Sequence, residues 1–263
     1  MSNGELRLID AHCHIDSGDF DKDILDILRD AYEKGVVAII SSALGVKSIQ
    51  KTLRIVSEIE SGALPRLYSC FGLEPYALDE MEFLAVVSLI KESVKRIVGI
   101  GEVGLDFYRI RDHKERDTQL SRFKGFIRLA DENRLPLVVH SRSSGRQALN
   151  VLEEMRAERV LMHAFDGKTR WAKVGIDLGY YFSIPTSVVR SPQKQKLVKA
   201  VPLDQLMLET DSPALGPEKG SRNVPGNLSI VAEKVSEIKG VDIDRVAETT
   251  YNNTRKLFSL SLL

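Results

Sequence analysis

The chain has 263 residues, with 37 basic and 37 acidic side chains, 43% of its residues hydrophobic and 28% charged. That balance excludes a disordered polyelectrolyte, and a chain this long buries enough surface to hold a core without disulfides or a structural metal. It also excludes a protein that coats DNA nonspecifically, in which basic residues would outnumber acids, so any nucleic-acid contact must be local.

Short apolar runs predict strands at residues 6–10, 36–41, 66–71, 97–101, 136–140, 160–163, 180–183 and 205–209. They are rich in Val, Ile and Leu and mostly unbroken, the pattern of a parallel sheet covered on both faces. Segments of helical period separate them, at 22–34, 48–61, 79–93, 114–133 and 144–156. In the fourth, Leu120, Phe123, Ile127 and Ala130 form one apolar stripe. Asp79 with Glu82, and Ser144 with Gln147, have capping-box spacing. The tail over 242–263, with Val246, Tyr251, Leu257 and Phe258, predicts an added helix on the outside. Eight strands with intervening helices predict an α/β fold, a (β/α)8 barrel with a C-terminal additional helix, as one domain over 1–263. An open doubly wound sheet is the alternative. The first strand, however, leads into His12-Cys13-His14 and not into a Gly-rich phosphate turn, which counts against a dinucleotide fold. The first residues lack the basic-then-apolar pattern of a signal peptide, and no apolar run approaches the roughly 20 residues that cross a bilayer. Cys13 and Cys70 form no CxxC pair, which suits a reducing compartment. These features point to a soluble, cytoplasmic protein.

Four of the five histidines stand at or just beyond the carboxyl end of a predicted strand: His12, His14, His140 and His163. Glu102 and Asp211 occupy equivalent places, and in a barrel all these ends face one mouth. His12 and His14 are two residues apart, so on an extended segment both rings point the same way while Cys13 points away and packs as an apolar thiol. One such histidine is ordinarily a hydrogen-bonded core residue. Six donors at matching positions on several strands point to metal. They are too many for one ion that keeps a position open for substrate, and they suit two ions a few ångströms apart. One division places His12, His14 and Asp211 on one ion, His140 and His163 on the other, and the Glu102 carboxylate across both. Two divalent ions against two carboxylates leave a positive site that attracts a phosphodiester, and Asp211 is a candidate to take the proton of the attacking water. Imidazole favours Zn²⁺, Mn²⁺ or Co²⁺, and carboxylate tolerates Mg²⁺.

At these residues the sequence resembles the TatD family of metal-dependent deoxyribonucleases, among the amidohydrolase-like barrels. The likeness lies in Asp10-Ala-His-Cys-His-Ile-Asp16, Gly101-Glu-Val-Gly-Leu-Asp-Phe-Tyr108, Val139-His-Ser-Arg142, His163-Ala-Phe-Asp-Gly167, Glu209-Thr-Asp-Ser-Pro213, and Arg222-Asn223 ahead of Pro225. The resemblance implies a TIM barrel, two divalent cations, and hydrolysis of phosphodiesters in DNA, often as a 3′–5′ exonuclease on single strands. It implies His12, His14, Glu102, His140, His163 and Asp211 as metal ligands, Glu102 and Asp211 in catalysis, and Glu74, Arg142, Arg222 and Asn223 as substrate contacts. Where the family usually has Gly-x-His-Pro after the third strand, this chain reads Gly72-Leu73-Glu74-Pro75. A carboxylate there repels a phosphate unless it is protonated, paired with an arginine or bound to a metal.

Basic residues follow the same motifs: Arg109, Arg111, Arg142, Arg146, Lys219 and Arg222. Arginine forks hold phosphate bidentately, and Phe107 and Tyr108 offer rings on which a base could stack. His113 lies in a charged stretch and reads as exposed. A metal-dependent amide, ester or lactone hydrolase is the competing reading, favoured by Glu74 as a partner for a substrate ammonium group. A non-catalytic barrel is a third, against which the full donor set argues.

Overall fold

The computed structural model describes residues 6–59 and 62–261. Positions 60 and 61 of the 48–61 segment, the first residues read for a signal, and the last two of the tail lie outside the described residues. Eight parallel strands follow in chain order across one sheet: β1 (Leu8–Cys13), β2 (Val36–Leu44), β3 (Arg66–Gly72), β4 (Gly99–Gly104), β5 (Leu137–His140), β6 (Val160–Met162), β7 (Tyr181–Ile184) and β8 (Leu206–Leu208). The crossovers carry α1 (Ile24–Glu33), α2 (Val46–Glu58), α3 (Glu80–Ser93), α4 (His113–Asn133), α5 (Gly145–Glu154), α6 (Thr169–Asp177) and α7 (Pro192–Ala200). After β8 come α8 (Leu228–Lys239) and α9 (Ile243–Phe258).

The sheet curls into a nearly closed barrel. At its seam the Asp10 carboxylate of β1 accepts the Thr210 amide at 2.9 Å and the Thr210 hydroxyl at 2.6 Å, just beyond β8. Asp211 N–H donates to the His12 carbonyl at 2.9 Å and His14 N–H to the Ser212 carbonyl at 2.8 Å. A buried carboxylate thus supplies at the mouth part of the bonding that a ladder supplies elsewhere. Burial pushes the Asp10 carboxyl up to about 7 even against these donors.

Alternation along the strands separates two apolar layers. Ala38 and Ile40 of β2 join Ile9, Ala11, Cys70, Val138, Leu161 and Met207 in the barrel interior, while Ile39 packs outward beneath the helices. The interior is shut at the amino ends of the strands by Tyr251, Leu257 and Phe258 of α9, with Leu260. Asn253 of α9 donates to the Leu203 and Leu206 carbonyls at 2.9 and 2.7 Å. The tail helix expected on the outside therefore forms the barrel floor, because its apolar face is what caps the open end of the interior layer.

Of the two capping boxes, only one forms a cap. Asp79 accepts the Glu82 amide at 2.7 Å, and the Glu82 carboxylate crosses to the Val46 amide at 2.8 Å, fixing the start of α2. Ser144 instead donates its hydroxyl to the Leu105 carbonyl at 2.7 Å, so α5 begins without a side-chain cap. If α9 is the floor, Phe258→Ala opens a cavity there and lowers unfolding free energy by about 3–5 kcal/mol in urea denaturation. A loss below about 1 kcal/mol would place that ring outside the packed interior.

Candidate metal centre

Two register shifts bring the donors inward. Ile9 and Ala11 face the interior, so strict period two would turn His12 away from it. The β1–β2 register slips between Asp10 and Cys13, His12 and His14 turn in, and Cys13 packs in the outer layer. Likewise Ile100 and Val103 both pack outward although three residues apart, and the β4–β5 register slips between them. Glu102 then points into the mouth, opposite His140 at the end of β5 and His163 just past β6. Asp211 follows β8 in a left-handed conformation, φ 57°, which Asp tolerates better than most residues. Glycine is required where these strands meet. Gly104 has φ 143°, and a Cβ on it would lie 2.1 Å from the His140 carbonyl oxygen. One on Gly72 would lie 2.3 Å from that of Glu102.

The Glu102 carboxylate lies at the centre. Its Oε2 is 3.3 Å from His12 Nε2 and 3.5 Å from His14 Nε2. Its Oε1 meets His140 Nδ1 and lies 3.9 Å from His163 Nε2. Asp211 Oδ1 is 3.5, 3.4 and 3.8 Å from the Nε2 atoms of His12, His14 and His163. Three overlapping sets have donor atoms mutually within 4.8 Å: His12–His14–Glu102, His12–His163–Asp211, and Glu102–His140–His163. The structure thus brings all six predicted donors together.

The rings are held from behind. His14 Nδ1 donates to the Ser42 carbonyl at 2.9 Å, His140 Nε2 to Asp106 Oδ2 at 3.2 Å, and His163 Nδ1 to Glu209 Oε2 at 2.8 Å. In the neutral ring this leaves the lone pair of the other nitrogen directed at the centre, as metal binding needs. His12 Nδ1 is 3.1 Å from the Ser42 hydroxyl. Glu209 is itself fixed by the Ser183 hydroxyl at 2.5 Å and the Ala164 amide at 3.0 Å. Asp106 and Glu209 lie within the sequence motifs, but their roles depend on which strand faces which. Alternating acids at Glu209 and Asp211 were the available signal.

Electrostatics mark the centre as a place for positive charge. Burial alone would raise the Glu102 carboxyl, yet the His140, His12 and His163 rings hold it well below the usual carboxylate range. Burial would lower His14 and His140, but Asp211 and Glu102 lift the first to about 10, and Glu102 and Asp106 lift the second to about 9. His12 is depressed by burial and by neighbouring His163. Where a cation sits among these donors it takes the place of those protons. The donor set of imidazole and carboxylate therefore fits divalent metal.

Residues 9–259 match the family model of TatD related DNases. The chain belongs to this family. Deoxyribonuclease TATDN3 of Homo sapiens is 41% identical to it, over 98% of this chain and 97% of that protein. An uncharacterized metal-dependent hydrolase of Methanocaldococcus jannaschii is 32% identical over 98% and 99%. Among solved structures, YJJV, a TatD homolog from Escherichia coli K12, superposes with a TM-score of 0.88 at 26% identity, covering 98% of this chain and 100% of that one.

The expected substrate contacts of this TatD chain divide. Arg142 stays exposed at the mouth, its guanidinium 4.0 Å from the Tyr108 ring centre. Glu74, half-buried, accepts the Tyr76 hydroxyl at 2.8 Å, and Arg109 lies 4.1 Å over the Tyr76 ring. A tyrosine bonds the carboxylate directly, and an arginine stands behind that ring. Arg222 and Asn223 are committed elsewhere. The Arg222 fork is taken by Asp23, at 2.9 and 2.7 Å, and is not open for phosphate. Asn223 is fully buried; its amide donates to Thr186 Oγ1 and to the Thr210 and Ala214 carbonyls at 3.2, 2.8 and 2.9 Å. It clamps the loop that carries Asp211 and touches no opening. Phe107 is covered by Arg116 at 4.3 Å, and His113 is exposed, as expected.

Glu209→Gln removes the charge that orients His163, so calorimetric titration with Mn²⁺ should show affinity lowered by about 10–100-fold. Unchanged affinity would mean that Glu209 only fills space.

Proposed function

We propose that the chain is a two-metal phosphodiesterase that hydrolyses DNA, acting 3′–5′ on single strands in the cytoplasm. His12, His14 and Asp211 would hold one cation and His140 and His163 the other, with Glu102 available to both; Mg²⁺, Mn²⁺ or Zn²⁺ would suit these donors. The observation that carries this reading is that the two Glu102 oxygens face different histidine pairs, Oε2 toward His12 and His14, Oε1 toward His140 and His163. Membership in a family of DNases supports the DNA substrate. Two free, buried cysteines, Cys13 and Cys70, suit a reducing compartment, and among the described residues no helix is long and apolar enough to cross a membrane.

Divalent cations bound here supply Lewis acidity, lowering the pKa of an attacking water and offsetting charge on the phosphate and the leaving oxygen. The chain supplies the rest. Asp211, whose Oδ1 lies 3.5 and 3.4 Å from the His12 and His14 Nε2 atoms, takes the proton from the attacking water. Its left-handed backbone and its amide bond to the His12 carbonyl fix the direction of that carboxylate. Arg142, on the loop after β5, neutralises a phosphate oxygen, and its stacking on Tyr108 limits the orientations it can take. Glu74, with Tyr76 and Arg109, borders the opening on the β3 side and disfavours a second phosphate there, which steers the strand toward the β5 and β6 loops.

Purified protein with Mn²⁺ should shorten a single-stranded oligonucleotide from its 3′ end, EDTA should stop it, and Asp211→Asn should lower kcat by about 10²–10⁴-fold. Cleavage that survives both EDTA and the substitution would contradict the reading. Turnover of a lactone or carboxylic ester with no cleavage of DNA would favour the amidohydrolase alternative.

A further inference from the structure

A groove of about 860 Å³ opens between the amino ends of α5, α6 and α7. It begins where the loops leave the centre: Ser143, three residues past His140, and Asp166, three past His163, both line it. Three exposed cations, Arg146, Lys168 and Lys196, also line it, against one carboxylate. That carboxylate, Asp166, is committed to the Ser143 amide at 2.7 Å. Among the described residues none of the three cations takes part in an ion pair. In a chain of zero net charge this is a local basic surface.

The walls are rigid. A Cβ on Gly145 would lie 2.6 Å from the Asp166 carbonyl oxygen, and one on Gly167 would lie 2.6 Å from the Phe165 ring. The buried Lys194 ammonium donates to the Ala164 and Phe165 carbonyls at 2.6 and 2.8 Å, and Gln193 donates to Phe165 and Gly167 at 3.2 and 3.0 Å. Trp171 is half-buried against the core, and the Arg146 guanidinium sits 4.4 Å over its ring. A guanidinium laid on a fixed aromatic shelf loses little freedom when it binds phosphate. No side chain caps the first turn of α5 or α6, so their positive ends add to the same field.

We propose that this groove holds the sugar-phosphate backbone of the DNA strand beyond the phosphate being cut, with Arg146, set on Trp171, and Lys168 and Lys196 as its phosphate contacts. The inference rests on the nuclease reading and extends it from the scissile bond to the strand. Continuity with the loops after His140 and His163, together with the excess of positive charge, selects a polyanion leaving the metal centre.

The Mn²⁺-loaded full chain is compared with the double variant Arg146→Ala, Lys196→Ala on an oligonucleotide of about 16 nucleotides and on bis(p-nitrophenyl) phosphate, which is too short to occupy the metal centre and the groove at once. The proposal expects the ratio of kcat/KM for the oligonucleotide to that for the small ester to fall about tenfold, and the slope of log KM against log salt to flatten by about 0.7 per lost contact. Wild-type ratio and slope in the double variant would overturn the groove and leave the nuclease reading intact. An equal loss on both substrates would also overturn it, since the substitutions would then act on the centre. Wild-type protein that cleaves the ester and not DNA would remove the nuclease reading and the groove with it.

Discussion

A carboxylate buried among four imidazoles is the constraint around which the mouth of this barrel is arranged. An isolated charge at the position of Glu102 costs far more than a small domain can spare, so positive charge must meet it, as protons on the rings or as bound cations. Both carboxylate oxygens are engaged by histidines from different strands, which makes the site one unit and not two adjoining ones. The slips in β1 and β4, the left-handed Asp211 and the close approaches at Gly72 and Gly104 each depart from regular strand geometry. Each departure points a donor inward or lets a neighbouring backbone come near enough for one. Irregular backbone concentrated at a binding site is the expected place for local strain to be held by the surrounding fold.

The rest of the barrel makes those departures tolerable. The interior layer is apolar up to the level of His12 and Glu102 and is closed below by α9, so the polar centre has a dry floor. The seam is clasped by Asp10, whose bonds to Thr210 tie the first donor strand to the segment carrying the last donor. Asn223 anchors that segment a second time. Asp106, Glu209 and Ser42 fix the outward edges of the rings, so their inward nitrogens present lone pairs without further reorganisation.

Much of this is legible in the residues. All eight apolar runs became strands, and the six donors at their carboxyl ends converge, because strand direction in a parallel barrel fixes which end faces the mouth. That His12 and His14 share a face opposite Cys13 follows from period two, but that this face is the inward one depends on the register slip in β1, which periodicity does not show. Boundaries moved where the pattern is interrupted. β4 runs over Gly99–Gly104, past the expected 97–101, since a register slip lets the strand continue through Glu102. What periodicity cannot reach is partner choice between distant segments. Arg222 looked like a phosphate fork until Asp23, far away in sequence, claimed it, and Asn223 beside it is wholly interior. Ser144 has the spacing of a cap, but its hydroxyl is turned to donate to the Leu105 carbonyl and accepts no amide of α5. The floor helix was visible as an amphipathic tail, with nothing local to say which surface it covers.

The most direct test of a bridging Glu102 is anomalous diffraction from crystals grown with Mn²⁺. Two peaks should flank its carboxylate, one beside His12, His14 and Asp211 and the other beside His140 and His163. A single peak, or two that leave Glu102 outside coordination distance, would contradict the account.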